Sequence, residues 1–509
     1  MRSATGASDA AMGGTSGKTI QALWLMASQL CSLLFGLGTL AVLSRYLTPE
    51  EYGTYRQVFY VYQTLLMLFS LGMPRAYSYF LVRMPAEEGR SFVGRMRRMF
   101  LALGAVFSAS LYVGAGLIAR ALDNPALEPA LRIFAPTPLL LMPVLGIESL
   151  LVALDRARLN AVYLLTNRSL TAAGVLLPVV AGGWGVPGAV GGSVAAALLS
   201  LGIGSFVERM PFRGLEPRAT GVSVREILGF SLPLFLAGVW GFVILSVSPF
   251  FIGRYLGASA FALYANGYVE LPLAAWIVNA SSVVLLPAFS RMRYEGEGSR
   301  EIVGLWTSVI LKSAKVIYPL AVFCCVFASP VMEWIYGAEY RAAGVLLQLV
   351  TPVVLLRVVP FSPVLLALGK GRTFSNIHLV TALVLTLTEA LCVWWFPSLV
   401  AVAAVQTLCT VGCLAAAFRA VGASVQTGWR QLLPLRSLAA LLLLSLFASG
   451  ASRLLVGSVS GGVALAGAFL LAAALYAGAC AVCGVSYREL VQPLLALCPL
   501  RLRGGRSEK

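Results

Sequence analysis

Arg45-Tyr46-Leu47-Thr48-Pro49-Glu50-Glu51-Tyr52-Gly53-Thr54-Tyr55 closes the first long apolar run of this chain, and its opening tripeptide returns as Arg254-Tyr255-Leu256 behind the seventh. Nine residues after each tripeptide tyrosine comes another, Tyr55 and Tyr264. The two copies lie 209 residues apart, and Phe80 and Phe289 keep the same offset. Each copy is followed by a second apolar run that ends in a basic turn, at Phe80-Leu81-Val82-Arg83 and at Phe289-Ser290-Arg291. The pattern reads as one six-helix unit used twice. Repeats of this kind are a construction principle of membrane transporters, with the substrate path at the repeat interface.

The rest of the chain fits a membrane environment. It is 59% hydrophobic and 12% charged over 509 residues, with a mean hydropathy of +0.85. A soluble domain carries about a quarter charged residues. No polar stretch is long enough for a separate soluble domain. A span needs about 20 apolar residues, and fourteen candidates follow: 19–43, 54–81, 99–118, 131–153, 161–180, 188–207, 229–252, 262–289, 309–329, 345–368, 374–396, 399–418, 438–456 and 462–482. This predicts an all-α integral membrane protein. Its expected parts are a disordered N-terminus (1–18), a six-helix bundle (19–207), a linker (208–228), a second bundle (229–420), helices 13 and 14 (421–484) and a basic tail (485–509). The first run is too long for a signal-peptide core and lacks an A-x-A-like cleavage site, so it is expected to stay as a span.

The net charge of +17 would suggest nucleic acid in a soluble protein. Here it sits in short loops between apolar runs, so no nucleic-acid partner is expected. Of the 38 Lys and Arg residues, 28 fall on one side of the fourteen spans and seven on the other. The positive-inside rule then places both termini in the cytosol. Three arginines remain inside spans: Arg75, Arg168 and Arg357. Proline interrupts several spans, at Pro74, Pro143, Pro233, Pro272, Pro319, Pro360 and Pro363, and each frees backbone carbonyls and permits a kink. Eight of the nine cysteines lie in apolar runs. Cys480 and Cys483 form a C-x-x-C within a Gly/Ala-rich helix with no histidine nearby, which reads as small core residues. With one histidine in the chain, His378, no metal site is expected.

The quoted stretch, together with Leu71-Gly72-Met73-Pro74, Gly253-Arg254-Tyr255-Leu256-Gly257 and Leu286-Pro287-Ala288-Phe289-Ser290-Arg291, resembles the Wzx-type polysaccharide flippases of the multidrug/oligosaccharidyl-lipid/polysaccharide (MOP) exporter superfamily. The resemblance covers about residues 19–420. It implies two pseudo-symmetric six-helix bundles in a V-shaped, MATE-like arrangement, with two helices appended. It implies translocation of an oligosaccharide linked to undecaprenyl diphosphate, from the inner to the outer leaflet of the bacterial cytoplasmic membrane, by alternating access through a cationic central cavity. The glycan would feed a cell-surface polysaccharide. No bound cofactor is implied. Coupling to a Na+ or H+ gradient, and cooperation with a polymerase and glycosyltransferases, are family expectations.

A diphosphate crossing a low-dielectric region calls for fixed cations, and arginine stays charged and binds phosphate with two parallel hydrogen bonds. Arg357 lies 13 residues before Lys370 and therefore near mid-membrane, with Pro360 and Pro363 just beyond. Arg168 and Glu148 sit at matching depth on neighbouring helices and could form a structural pair. Asn167 could serve a sugar hydroxyl. Arg75 follows Pro74 about 12 Å from its helix end and could receive phosphate or snorkel. Arg45 and Arg254 are repeat mates, either at an outer mouth or as headgroup anchors beside Tyr46 and Tyr255. Glu270, Glu389 and Glu148 are the acids that could carry a coupling ion, pairing with an arginine being the main alternative for Glu270 and Glu389.

Other readings predict other features. A MATE-like drug exporter would be expected to carry an acid in the first helix, where 19–43 has none. A lipid II flippase shares the fourteen spans. A polymerase or ligase would show a large outward loop with Arg or His, which this chain lacks. A scaffold without transport would leave repeated halves and buried charge unexplained.

Overall fold

Helix is what such a chain can form in lipid, because every backbone polar group must be satisfied inside its own segment. The computed structural model describes residues 5–295, 299–426, 428, 432–457 and 461–487. Among the described residues, fourteen helical segments are long and apolar enough to cross a membrane. They are α1 (Thr5–Tyr46), α2 (Pro49–Arg83), α3 (Ala86–Ala121), α4 (Leu127–Ala153), α5 (Ala157–Val180), α6 (Gly185–Phe212) and α7 (Val224–Tyr255). Then come α8 (Gly257–Gly267 and Pro272–Tyr294), α9 (Ser299–Val326), α10 (Ala338–Ala367), α11 (Gly371–Trp395), α12 (Leu399–Val425), α13 (Leu435–Val456) and α14 (Gly462–Val482). The chain is a multi-pass membrane protein.

Two expectations change. Helix is already formed at Thr5, through residues expected to be disordered. Adding residues to an existing helix needs no new nucleus, so α1 extends through this stretch although it holds Gly6, Gly13, Gly14 and Gly17. The compact units are also drawn differently: Met1–Ala265 with Leu385–Val402, and Asn266–Val384 with Ala403–Lys509. The reason on the first side is that α7 packs against α2, and the start of α8 lies against Gly53. The basic tail from 488 onward lies outside the described residues.

The signature stretch is a helix start. Thr48 caps α2: its Oγ1 accepts from the Glu51 amide at 3.3 Å while a Glu51 oxygen accepts from the Thr48 amide at 3.0 Å. Pro49 occupies the first turn, where its missing N–H costs nothing. Tyr52 and Tyr55 are buried core. Ser223 and Glu226 build the same box at the start of α7. The Ser223 backbone amide, and then its hydroxyl, hold the Glu226 carboxyl below the usual range. That cap is therefore complete above ordinary carboxylate pKa values and is lost as pH falls through the depressed one.

Within the first unit α1 lies along α5 and α5 along α6. The α5–α6 approach depends on absent side chains: a Cβ on Gly192 would stand 1.8 Å from the Gly174 carbonyl oxygen. A buried polar knot joins α2 to the loop after α3, with Asn124 Nδ2 donating to Thr54 Oγ1 at 2.9 Å and to Gln57 Oε1 at 2.7 Å.

The second unit has its own core around Trp306, Phe289, Ile310, Val354 and Leu365. α13 packs on α9 and α14 on α13. The segment after α14 is tied to α9 as well, since Lys315 Nζ donates to the Ser486 carbonyl at 2.7 Å.

Proline breaks some spans and not others. α2 is interrupted at 71–73 before Pro74, α4 around Pro143, α8 at 268–271 before Pro272, and α10 at 357–360. Pro233 and Pro319 lie inside unbroken helices. A lone proline costs one backbone bond and a kink; a break needs a partner for the freed groups. At 357–360 Trp306 Nε1 supplies one, donating to the Pro360 carbonyl at 3.1 Å.

Candidate functional site

Two of these breaks meet in the second unit. Glu270 sits in the unwound stretch 268–271 of α8. Arg357 is the residue at which the first half of α10 stops, its amide still bonded to the Val353 carbonyl at 2.9 Å. A cation is favoured at a helix C-terminus by the exposed carbonyl dipoles. Arg357 Nη1 reaches both oxygens of Glu270, at 2.5 Å and 2.6 Å. The side chains remain 39% and 28% exposed, so the pair is reachable rather than sealed. Irregular backbone at membrane depth is tolerated where it is buried in protein or lines a cavity. Tyr268 steadies the same break, its hydroxyl 2.9 Å from Thr407 Oγ1.

The sequence places Arg357 in this role and leaves Glu270 between ion carrier and arginine partner; the geometry gives Glu270 an arginine. Glu389 is different. It is fully buried in the first unit, with one oxygen accepting from the Ser248 hydroxyl of α7 and the other without a partner among the described residues.

The remaining candidates do not gather. Arg75 is exposed on the first turn after the α2 break and makes no ion pair among the described residues. Arg168 and Glu148 are both exposed, and no ion pair joins them although each lies within range of the other's charge. Asn167 is committed to helix packing, its Oδ1 accepting from Ser200 Oγ at 2.5 Å. Arg254 lies 3.7 Å from Asp123 and donates to the Arg120 carbonyl at 2.8 Å, which fixes the α3 C-terminus. Arg45 is exposed at the end of α1.

Sequence reading missed Arg56 and Gln57. Arg56 Nη2 donates 3.0 Å to the Ala265 carbonyl, and Gln57 is fully buried. The available signal was the repeat itself: Ala265 and Asn266 lie one repeat offset from these two residues.

Comparison with known proteins agrees with this architecture. The family model described as "Polysaccharide biosynthesis protein" matches residues 42–344, more than half of the chain and across both signature copies. The chain belongs to this family. It is similar to the succinoglycan biosynthesis transport protein ExoT of Rhizobium meliloti (strain 1021), 27% identical over 370 residues, 69% of this chain and 70% of that one. Among solved structures, the lipid II flippase MurJ in an inward closed conformation covers 92% of this chain and 100% of its own, at a TM-score of 0.69 and 13% identity. An inward-facing multidrug MATE transporter of the MOP superfamily covers 78% and 96%, at 0.60 and 16%. The fold of this polysaccharide biosynthesis protein is therefore the MOP-superfamily transporter fold. These relatives and neighbours are transporters and flippases, not enzymes.

Proposed function

We propose that this chain flips a polyprenyl-diphosphate-linked oligosaccharide from the inner to the outer leaflet, by alternating access, for synthesis of a cell-surface polysaccharide. The observation that carries the reading is the half-exposed Arg357–Glu270 pair held at two helix breaks. Arg357 binds the diphosphate by two parallel charge-assisted bonds, displacing Glu270. The freed Glu270 takes up a proton or Na+, so that substrate and coupling ion exchange at one arginine. The family, and a relative named for transport in succinoglycan biosynthesis, supply the substrate class. The membrane is the bacterial cytoplasmic membrane, with both termini in the cytosol, and the glycan arrives from glycosyltransferases and leaves to a polymerase. Depletion of the protein followed by leaflet-resolved detection of the lipid-linked glycan is the test. Accumulation on the cytosolic leaflet is expected. An unchanged distribution with loss of drug efflux would replace this reading with a MATE-like exporter, and accumulation of lipid II with a peptidoglycan flippase.

Glu389 is proposed as a second coupling group, because its carboxyl is buried inside a span with one oxygen that has no partner among the described residues. Glu389→Gln keeps a partner for Ser248 and cannot titrate. Gradient-driven translocation in vesicles is expected to fall by about tenfold, roughly 1.4 kcal/mol, while downhill exchange persists. An unaltered response to imposed H+ and Na+ gradients would exclude Glu389 from coupling.

A further inference from the structure

The first unit contains a second cationic site, at the opposite extreme of exposure from Glu389. A cavity of 690 Å³ opens between the N-terminal part of α3 and the end of α6, lined by Arg90, Arg97, Arg209 and Arg213, with Glu208 as the carboxylate in the lining. Its size is in the range of small-molecule sites. Glu208 is 3% exposed and already engaged, with Arg97 Nη1 at 3.4 Å. Arg97 also donates to Ser205 Oγ at 2.9 Å, and Arg90 donates to the Leu215 carbonyl. These two arginines are thereby oriented without having their charge cancelled as a set. The guanidinium groups of Arg209 and Arg213 make no hydrogen bond or ion pair among the described residues, although the Arg209 charge acts on Glu208. Arg213 keeps its guanidinium 5.5 Å from the Phe206 ring, which directs it without neutralising it. Four guanidinium groups therefore face a single carboxylate.

The cavity is also kept open. A Cβ on Gly94, on the α3 wall, would meet nothing within 4 Å, and neither would one on Gly214, whose φ is +78°. Arginines scattered to satisfy membrane topology need no common concavity. Here they converge on one, and the space between them is unfilled.

We propose that this cavity binds a phosphate-bearing anion, the phosphate being held by Arg209 and Arg213 and oriented by Arg90 and Arg97. Phosphate matches the guanidinium fork, and one surplus carboxylate cannot satisfy four such groups. The phosphate belongs either to the headgroup of an anionic lipid or to a soluble diphosphate. The site is separate from the Arg357–Glu270 pair, which lies in the other unit, and it stands whether or not that pair carries substrate.

The test uses the full-length protein in neutral detergent and reads thermal unfolding during titration with sodium pyrophosphate, with short-chain phosphatidylglycerol, and with phosphatidylcholine. Sodium chloride at matched ionic strength is the baseline. A saturable rise in the midpoint with pyrophosphate or phosphatidylglycerol is expected. In the Arg209→Ala/Arg213→Ala double variant, and in Gly94→Leu, which fills the cavity from a helix wall, the apparent affinity is expected to drop by at least about tenfold. Their midpoints without ligand should stay near that of the parent. A response to phosphatidylglycerol alone identifies a lipid headgroup, and one to pyrophosphate alone a soluble ligand; either supports the site. No saturable shift beyond the salt baseline, or a double variant that binds like the parent, overturns it.

Discussion

Arg357→Ala is expected to reduce translocation of the lipid-linked glycan by about a hundredfold or more, with the protein still inserted. Hydrogen bonds to charged groups contribute roughly 1.5–3 kcal/mol each. Arg357 is proposed to give two of them to the diphosphate, so losing both costs about 3 kcal/mol at the lower limit, or roughly a factor of a hundred in rate. The stability cost should be smaller. Removing one partner of a fully buried pair costs about 3–5 kcal/mol, but this pair is 39% and 28% exposed, so water screens much of that. Arg357→Lys keeps a cation without the fork and should fall between parent and alanine variant. Glu270→Gln makes the sharper comparison. It removes the competitor for Arg357, so substrate should bind more tightly, turn over more slowly and lose its response to an imposed gradient. The measurement is leaflet-resolved glycan translocation in vesicles, normalised to inserted protein. An Arg357→Ala protein that translocates at the parental rate would remove this pair from the mechanism.

The parts of the structure readable from sequence are those set by local rules. The fourteen spans follow from apolar run length and the side-to-side charge bias. The second span is read from sequence as starting at 54, whereas its helix begins at Pro49, because Thr48, Pro49 and Glu51 form a cap that apolar run length does not register. Counting helix rise back from Lys370 puts Arg357 deep in its span, but the count runs across the break at 357–360, so constant rise does not fix that depth. The partner of Arg357 could not be named, since Glu270 lies 87 residues away, and no local rule links two breaks in different spans. The same constant rise misleads for Glu148. Its span passes through irregular turns before the short helix Ile147–Ala153, so equal depth with Arg168 does not mean that the two side chains face each other. Prolines mark where a helix could break. Whether it does depends on a donor such as Trp306, brought from elsewhere in the chain.

Gly53→Ala is expected to destabilise the protein far more than its size suggests. The Cβ it adds would stand 1.9 Å from the Ala258 carbonyl oxygen and 2.5 Å from the carbonyl carbon. Both are backbone atoms, so no side chain can swing aside and α2 must separate from the start of α8. The neighbouring contacts are tuned to the present spacing. Arg56 reaches the Ala265 carbonyl at 3.0 Å, and the Tyr60 ring stands edge-on to Phe261 at 5.6 Å. Arg56 and Ala265 are separated by the repeat offset of 209 residues, so this crossing brings a position against its own repeat mate. Overpacking costs about 1–3 kcal/mol where side chains can adjust, and more where they cannot; the upper end or beyond is expected here. A glycine-to-alanine change inside a helix otherwise stabilises by roughly 0.5–1 kcal/mol. Gly36→Ala and Gly38→Ala in α1, where a new Cβ meets nothing within 4 Å, are therefore the matched controls and should be neutral or slightly stabilising. Thermal unfolding of the four proteins in one detergent separates the outcomes. A Gly53→Ala midpoint equal to the controls would mean that α2 and α8 do not approach this closely, and the glycine in the signature would then need another explanation.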